Sequence, residues 1–384
     1  MNSNGYYSVG DERFTNKFYA MIRATETKSE LHWHYYDEIF DKVDRNKLGT
    51  LSLQELYKHR ALQLREKYDY LILNYSGGSD SWTILHTFLK NNIKLDCLFT
   101  HHPFKLGSLY TPNTDDRSNY NHYSEWDNVT KKDLEWVSRN HPEIRIETGD
   151  WTDNLTDLCV NDTTFSSSLG AMPTVTRSLK ANCFCHVERE LTNAGKKVGS
   201  IYGVDKPRVI EKDNLCFYYF MDRNYMAVPN PENPNSVEYF YITPDFPELA
   251  AEQSYKLFKW FDENPGSRYL IRAGHHRNLT TDQIYKEYYH LLNITKSVVY
   301  PDWDSSKFQT EKQRFEVAPT QYGIRQLDVN FLVIPEILTS SASWKYHWQD
   351  YSNKIDSKFL QGPDDTVITC SRWHYVGTFR AGDK

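Results

Sequence analysis

The stretch that most constrains this chain begins at Tyr68. Tyr68-Asp-Tyr-Leu-Ile-Leu-Asn-Tyr75 is a short apolar run of strand type, and it stops at Ser76-Gly77-Gly78-Ser79-Asp80-Ser81. Trp82, Ile84, Leu85, Phe88 and Leu89 then recur at helical spacing, and Ile93-Lys-Leu-Asp-Cys-Leu-Phe99 reads as a second strand. Strand, glycine turn, helix and strand within about 30 residues make a βαβ unit, whose geometry demands a parallel sheet. The alternation continues, with a helix expected over 131–140, an extended segment over 143–147, a helix over 177–194 and a strand over 198–202. Residues 67–212 are therefore expected to form a doubly wound α/β domain with a mostly parallel, Rossmann-like sheet.

The flanks read differently. Residues 1–66 are polar and are expected to be a helical segment, with Leu51, Leu53, Leu56, Leu62 and Leu64 making an imperfect amphipathic face. Between its two helical stretches, Asp44, Asn46, Gly49 and Glu55 fall at the positions of a calcium-binding loop, but Leu48 stands where an oxygen is needed. A plain helix-turn-helix with Gly49 as punctuation is the better reading. Beyond residue 212 the pattern loosens into an expected α+β elaboration over 213–384, a lid or a surface for acceptor recognition. Strands are expected over 216–221 and 238–242, and helices over 250–263, 281–298 and 343–359. Thr280 and Gln283 are spaced as a capping box, and Pro231, Pro234 and Pro244 punctuate a connection. The polar segment 101–128 is longer than connections in compact domains usually are, which marks it as a functional loop.

Composition bounds the partners. The 384 residues carry a formal net charge of −6, which argues against a general grip on a phosphate backbone. No apolar run is long enough for a membrane span, and the first residues lack an apolar signal core, so a soluble, cytoplasmic protein with no membrane partner is expected. Six scattered cysteines do not make a disulfide framework and read as reduced thiols. Aromatic residues are abundant at 15%, with 28 Tyr, 19 Phe and 10 Trp, and they gather in the flanks and in 101–128. That predicts a core of polar-tipped rings and a surface able to stack on a base. Nothing in the sequence fixes an oligomeric state.

The glycine turn carries the chemistry. It sits at the carboxyl end of a strand and opens a helix, where α/β sheets bind ligands. Gly77 and Gly78 let backbone approach an anion, the helix-start amides point at it, and Ser76, Ser79 and Ser81 add hydroxyls. Asp80 suits a phosphate only with a divalent cation between them, so the set reads as a polyphosphate cradle with magnesium on Asp80. The plainer alternative is a tight turn with Ser79 as an N-cap. Neither a Walker A loop nor a Gly-x-Gly-x-x-Gly fingerprint is present. A second constellation, Gly203-Val204-Asp205-Lys206-Pro207-Arg208, follows a later strand, where Lys206 and Arg208 suit phosphate charge and Asp205 suits orienting one of them.

Ser76–Ser81 resembles the SGGxDS signature of the PP-loop ATP pyrophosphatases, the adenine nucleotide α-hydrolase-like superfamily with its HUP-type Rossmann-like sheet. Within it the chain is most similar to the phosphoadenosine phosphosulfate reductase-like branch of the kind found in phages. The resemblance covers 67–212. It implies ATP or a related adenylyl nucleotide as ligand, magnesium as metal, and transfer of AMP to an acceptor oxygen with release of pyrophosphate. By the same resemblance Ser76, Gly77, Gly78, Ser79 and Ser81 hold the pyrophosphate end, Asp80 places magnesium, and backbone near Leu98-Phe99-Thr100 borders the adenine. Gly203 and Asp205, with Lys206 and Arg208, occupy the place of the branch's glycine-then-basic stretch.

One departure matters. The reductase motif Glu-Cys-Gly-Leu/Ile-His is replaced by Thr369-Cys370-Ser371-Arg372-Trp373-His374, without the glutamate and with a longer Cys-to-His spacing. Cys370 as a nucleophile would need Arg372 or His374 to lower its pKa, and a structural thiol is the better reading. Cys183 and Cys185 with His186, and His32 and His34 with Asp37, have ligand residue types but no clear metal-ligand set. His101 and His102 border the expected nucleotide site, and His275 and His276 form a second loop pair. Three functions compete. The first is an AMP-forming enzyme that activates an acceptor oxygen on a base, nucleotide or small metabolite for attack by an amine or sulfur nucleophile. The second is a phosphoadenosine phosphosulfate reductase or sulfotransfer enzyme using Cys370. The third is a non-catalytic nucleotide-binding regulator.

Overall fold

The chain opens with a small antiparallel sheet, not with helices. In the computed structural model, which describes residues 5–102, 104, 126–150, 185–222, 233, 236–275, 279–304, 353–362, 365, 366 and 368–380, β1 (Tyr6–Val9) lies between β2 (Glu12–Phe14) and β3 (His32–His34). The helical expectation for 1–66 is corrected here. Tyr7 and Val9 point inward from a four-residue strand, a period-two signal too short to stand out among charged neighbours. Helix α1 (Lys17–Thr27), capped by Asn16, joins β2 to β3. The one-turn α2 (Asp37–Phe40) and then α3 (Leu53–Lys67) follow. Glu55 is turned onto the Ser52 amide at 2.8 Å in a capping box, and Gly49, at φ +84°, donates its N–H to Glu252 Oε2 at 2.7 Å. The 44–55 stretch is thus a turn between helical segments.

The next segment alternates as its pattern demands. It runs β4 (Tyr70–Asn74), α4 (Ser79–Lys90), β5 (Cys97–His102), α5 (Lys131–Asn140), β6 (Arg145–Asp150), α6 (His186–Asn193) and β7 (Val198–Tyr202). A hairpin of β8 (Arg208–Lys212) and β9 (Leu215–Tyr219) comes next, and then β10 (Val237–Tyr239). Five of these strands form one all-parallel sheet in the order β10-β7-β4-β5-β6. Counted by appearance this is 5-4-1-2-3, so the winding reverses between β4 and β7. Alternation along β4 divides the core. Leu71 and Leu73 pack with Leu64 of α3 and Ile84 and Phe88 of α4, while Ile72 packs on the opposite face with Cys97, Phe99 and Val187 of α6. The outermost strand, β10, comes from beyond residue 212, so the parallel sheet is completed by the carboxyl-terminal region.

That region is built on α7 (Pro247–Glu263) and α8 (Thr281–Val299), the second opening with the expected Thr280–Gln283 capping box. Strands β11 (Leu360–Gly362) and β12 (Asp365–Thr366) pair with each other, and β13 (His374–Thr378) adds to the hairpin in the order β13-β9-β8. Helix α7 packs against α3, α8 and β13, which ties the two ends of the chain to the central layer. Most of the expected 343–359 helix lies outside the described residues, and its described end holds a single 3-10 turn at Ser357–Phe359. Pro231, Pro234, most of 101–128 and 177–184 also lie outside them. Among the described residues, large aromatics fill the core: Trp33, Tyr35, Tyr75, Tyr241 and Tyr300 are fully buried. Their tips find partners, as Tyr35 does when it donates to the Ile242 carbonyl at 3.0 Å. Among the described residues no helix is long and apolar enough to cross a membrane.

Candidate functional site

Strands β4 and β7 end level, with Asn74 opposite Tyr202, so the chain leaves both at the same edge of the sheet. The segment after β4 is the glycine turn. Gly77 takes φ +77°, and a Cβ there would come within 2.7 Å of Thr130 Oγ1 and 3.2 Å of Val129. Glycine is required both for the left-handed backbone and for the close approach. Thr130 Oγ1 donates to the Ser76 carbonyl at 2.8 Å, so the residues just after the 101–128 segment brace the turn. Helix α4 begins at Ser79 with Gly78 as its N-cap, and no side chain caps it. Ser79 is therefore the first helical residue and not the cap. Ser81 Oγ accepts from the Ser76 amide at 3.2 Å and donates to the Gly78 carbonyl at 3.3 Å, folding the turn on itself. The uncapped first-turn amides and the helix dipole leave a site suited to an anion.

The segment after β7 approaches from the side. Gly203 lies so near the start of α4 that a Cβ would sit 3.0 Å from the Ser81 amide nitrogen. Lys206, only 5% exposed, sends Nζ to Asp80 at 2.9 and 3.3 Å and to Asp205 Oδ1 at 3.1 Å. Arg208 Nη2 reaches Asp205 Oδ2 at 3.2 Å and the Tyr288 hydroxyl at 3.4 Å, while its buried Nε has no partner. Burial opposes charge on Asp205, yet Lys206 and Arg208 hold its carboxyl well below the usual carboxylate range. Burial likewise works against the Lys206 ammonium, and Asp80 with Asp205 outweighs it and raises its pKa. Lys206 and Asp205 therefore both stay ionised near neutrality.

Two tyrosines complete the cluster, and neither was identified from the sequence. Tyr300, just past α8, donates its hydroxyl to Asp80 Oδ1, and its ring lies 5.5 Å from Lys206 Nζ. Tyr241, just past β10, donates to the Asp80 carbonyl at 2.7 Å. Burial first, and then Asp80, push the Tyr300 pKa well above the ordinary phenol value, so it remains a donor. Their only sequence signal was the aromatic excess in the carboxyl-terminal flank.

Magnesium, implied by the resemblance, finds no open carboxylate here. Both Asp80 oxygens lie on Lys206 and one also accepts from Tyr300, while Asp205 is engaged by Lys206 and Arg208. Among the described residues no three His, Cys, Asp or Glu side chains gather as a metal set. The carboxylates as arranged fit an ammonium and not a resident metal.

The remaining candidates separate from this cluster. Thr100 lies buried in β5, beside β4, with Oγ1 unpartnered. Cys370 pairs across to Met221 in an isolated bridge. Part of it reaches the surface, yet burial, followed by Asp222, pushes its thiol up to about 11. Arg372 and His374 do not lower it, because both are bound to Asp41, at 3.0 and 2.8 Å. Cys185 is a buried N-cap of α6 whose free thiol is hydrogen-bonded to that of Cys97, and Cys183 lies outside the described residues. On β3, His34 faces Asp37 at 3.3 Å, while His32 is exposed beside Glu30, so these three do not converge. His101 and His102 sit at the end of β5 against the rings of Phe99 and Trp126. His275 pairs with Glu287 at 2.7 Å, and His276 lies outside the described residues. Comparison with protein-family models and with curated proteins returned no match.

Proposed function

We propose that the chain is a PP-loop ATP pyrophosphatase-type enzyme that binds an adenine nucleotide in the crevice between β4 and β7 and transfers AMP to an acceptor oxygen. The observation that carries this reading is the convergence of the Gly77–Ser81 turn with Lys206 and Arg208 at the point where the winding reverses. The uncapped amides of α4 and the hydroxyls of Ser76, Ser79 and Ser81 take the β- and γ-phosphates. Lys206 and Arg208 neutralise the charge that builds on the bridging oxygen as the bond from the α-phosphorus to it breaks and the acceptor oxygen bonds to the same phosphorus. The acceptor's proton leaves to a base, and pyrophosphate is the second product. Asp80, Asp205 and Tyr300 act as positioning residues that aim Lys206. By the resemblance, backbone near Leu98-Phe99-Thr100 in β5, beside β4, borders the adenine. Magnesium, when bound, would come with the nucleotide and supply further charge neutralisation of the polyphosphate.

The reductase alternative has less support, since a thiol raised to about 11 is a poor resting nucleophile. The test is product analysis. Incubated with ATP, magnesium and a host small-molecule extract, the protein is expected to form AMP and pyrophosphate, and much less of either with Lys206→Ala. ADP and phosphate as the sole products would overturn the reading. Sulfite released from phosphoadenosine phosphosulfate, and lost in Cys370→Ser, would favour the alternative. Tight ATP binding without turnover would favour a regulator.

A further inference from the structure

Strand β8 carries Arg208 at one end and Glu211 and Lys212 at the other, about 13 Å away at the rise of an extended chain. At that far end lies an open cleft of about 650 Å³, lined among others by Glu211, Lys212, Asp213, Arg272, Gly274 and Trp373. Its volume falls in the range of small-ligand sites. Asp213 and Asn214, at φ +53° and +62°, form the tight turn that fixes the hairpin tip beside it.

Two features of the lining point to one ligand chemistry. Trp373 is 38% exposed and leans on Phe217 with ring centres 5.8 Å apart, so a large aromatic surface is both supported and accessible. Lys212 and Arg272 are exposed, and neither side chain has a hydrogen-bonded or acidic partner among the described residues. Glu211 is 4% exposed, and its Oε1 accepts from Arg268 at 2.7 Å. Its Oε2 is buried as well, and Glu211 pairs with Cys216 on the hairpin face opposite Phe217, so its carboxylate belongs to the core and not to the cleft. An aromatic platform takes a flat ring, and free cations take a phosphate. A simple anion would use only the cations, and an apolar ring only the tryptophan.

We propose that this cleft is a second nucleotide-binding site, separate from the β4–β7 crevice. The base stacks on Trp373, and the phosphate lies on Lys212 and Arg272. The same unit comes from a free mononucleotide or from one residue of a single strand. The site stands whether or not the glycine turn binds ATP.

The test is equilibrium titration of the full chain with AMP, CMP, inorganic phosphate and a tetranucleotide, using wild type, Trp373→Ala, Arg272→Glu and Lys206→Ala. Nucleotide binding is expected to survive in Lys206→Ala and to weaken about 10-fold in Trp373→Ala and in Arg272→Glu. Inorganic phosphate is expected to bind at least about 10-fold more weakly than AMP. A tetranucleotide that binds more tightly than AMP identifies a strand as the source, and equal affinity identifies the free nucleotide. Both results support the site. Binding unchanged in Trp373→Ala and Arg272→Glu overturns it, as does binding abolished by Lys206→Ala alone. Phosphate as tight as AMP, or no nucleotide binding up to about 1 mM, overturns it too. Trp373 and Arg272 are both exposed, so thermal melts of Trp373→Ala and Arg272→Glu should match wild type.

Discussion

Helices α3 and α4 pack against each other, yet their first turns are finished in opposite ways. At the start of α3, Ser52 accepts from the Glu55 amide at 3.2 Å and Glu55 accepts from the Ser52 amide at 2.8 Å. The chain closes that end with its own side chains. At the start of α4 the cap is Gly78, no side chain accepts from the helix amides, and hydroxyls, Lys206 and Arg208 gather nearby. A helix start that a neighbouring Ser and Glu satisfy is a structural end. One that the sequence leaves open, with cations brought beside it from another strand, is built to be satisfied from outside.

Substitutions test that contrast. Lys206→Ala is expected to have the largest effect, slowing AMP formation about 100- to 1,000-fold in a pyrophosphate-release assay, as loss of a preorganised charge does. It should also lower the melting temperature, because Asp80 and Asp205 lose the cation between them. A wild-type rate would mean that Lys206 only holds the fold together. Gly77→Ala places a Cβ 2.7 Å from Thr130 Oγ1 at φ +77°. It should cost about 2 kcal/mol in urea unfolding and weaken ATP binding. Tyr300→Phe removes one donor to a charged group and should lower kcat/KM about 10-fold, while stability falls by about 1.5 kcal/mol. If Tyr300 acts through Lys206, the double variant with Lys206→Ala should be no slower than Lys206→Ala alone. Ser52→Ala should cost about 1 kcal/mol of stability and leave AMP formation unchanged. A loss of turnover from Ser52→Ala would erase the distinction between the two helix starts.

Much of the fold was legible where local patterns are strong. The helices at 131–140 and 281–299 and the strand at 198–202 stand almost where spacing and capping residues put them. The βαβ unit around the glycine turn was equally legible, because an apolar run, two glycines and a helical repeat are contiguous. The small sheet of β1, β2 and β3 was not, since strands of three or four residues with one or two inward side chains are lost among polar neighbours. At the candidate site, the turn and the Lys206–Arg208 segment both carry local sequence signals, and the structure brings Lys206 to Asp80 of the turn. A carboxylate beside a phosphate loop suggested a metal, and the ammonium that occupies it lies 126 residues away in the chain.

By itself, then, the sequence determined a strand, a glycine turn and a helix in immediate succession, because side-chain period and turn chemistry act over a few residues. Only the tertiary structure decided what meets that turn. Parallel pairing of β4 with β7 brings Lys206 to Asp80, and the packing of the carboxyl-terminal region brings in Tyr300 from 220 residues away. Contacts across such distances depend on strand order and helix packing, in which the identity of a lone Lys or Tyr has almost no local signature. The same holds for the cleft at the far end of β8, which Trp373 comes to line only because β13 adds to the hairpin.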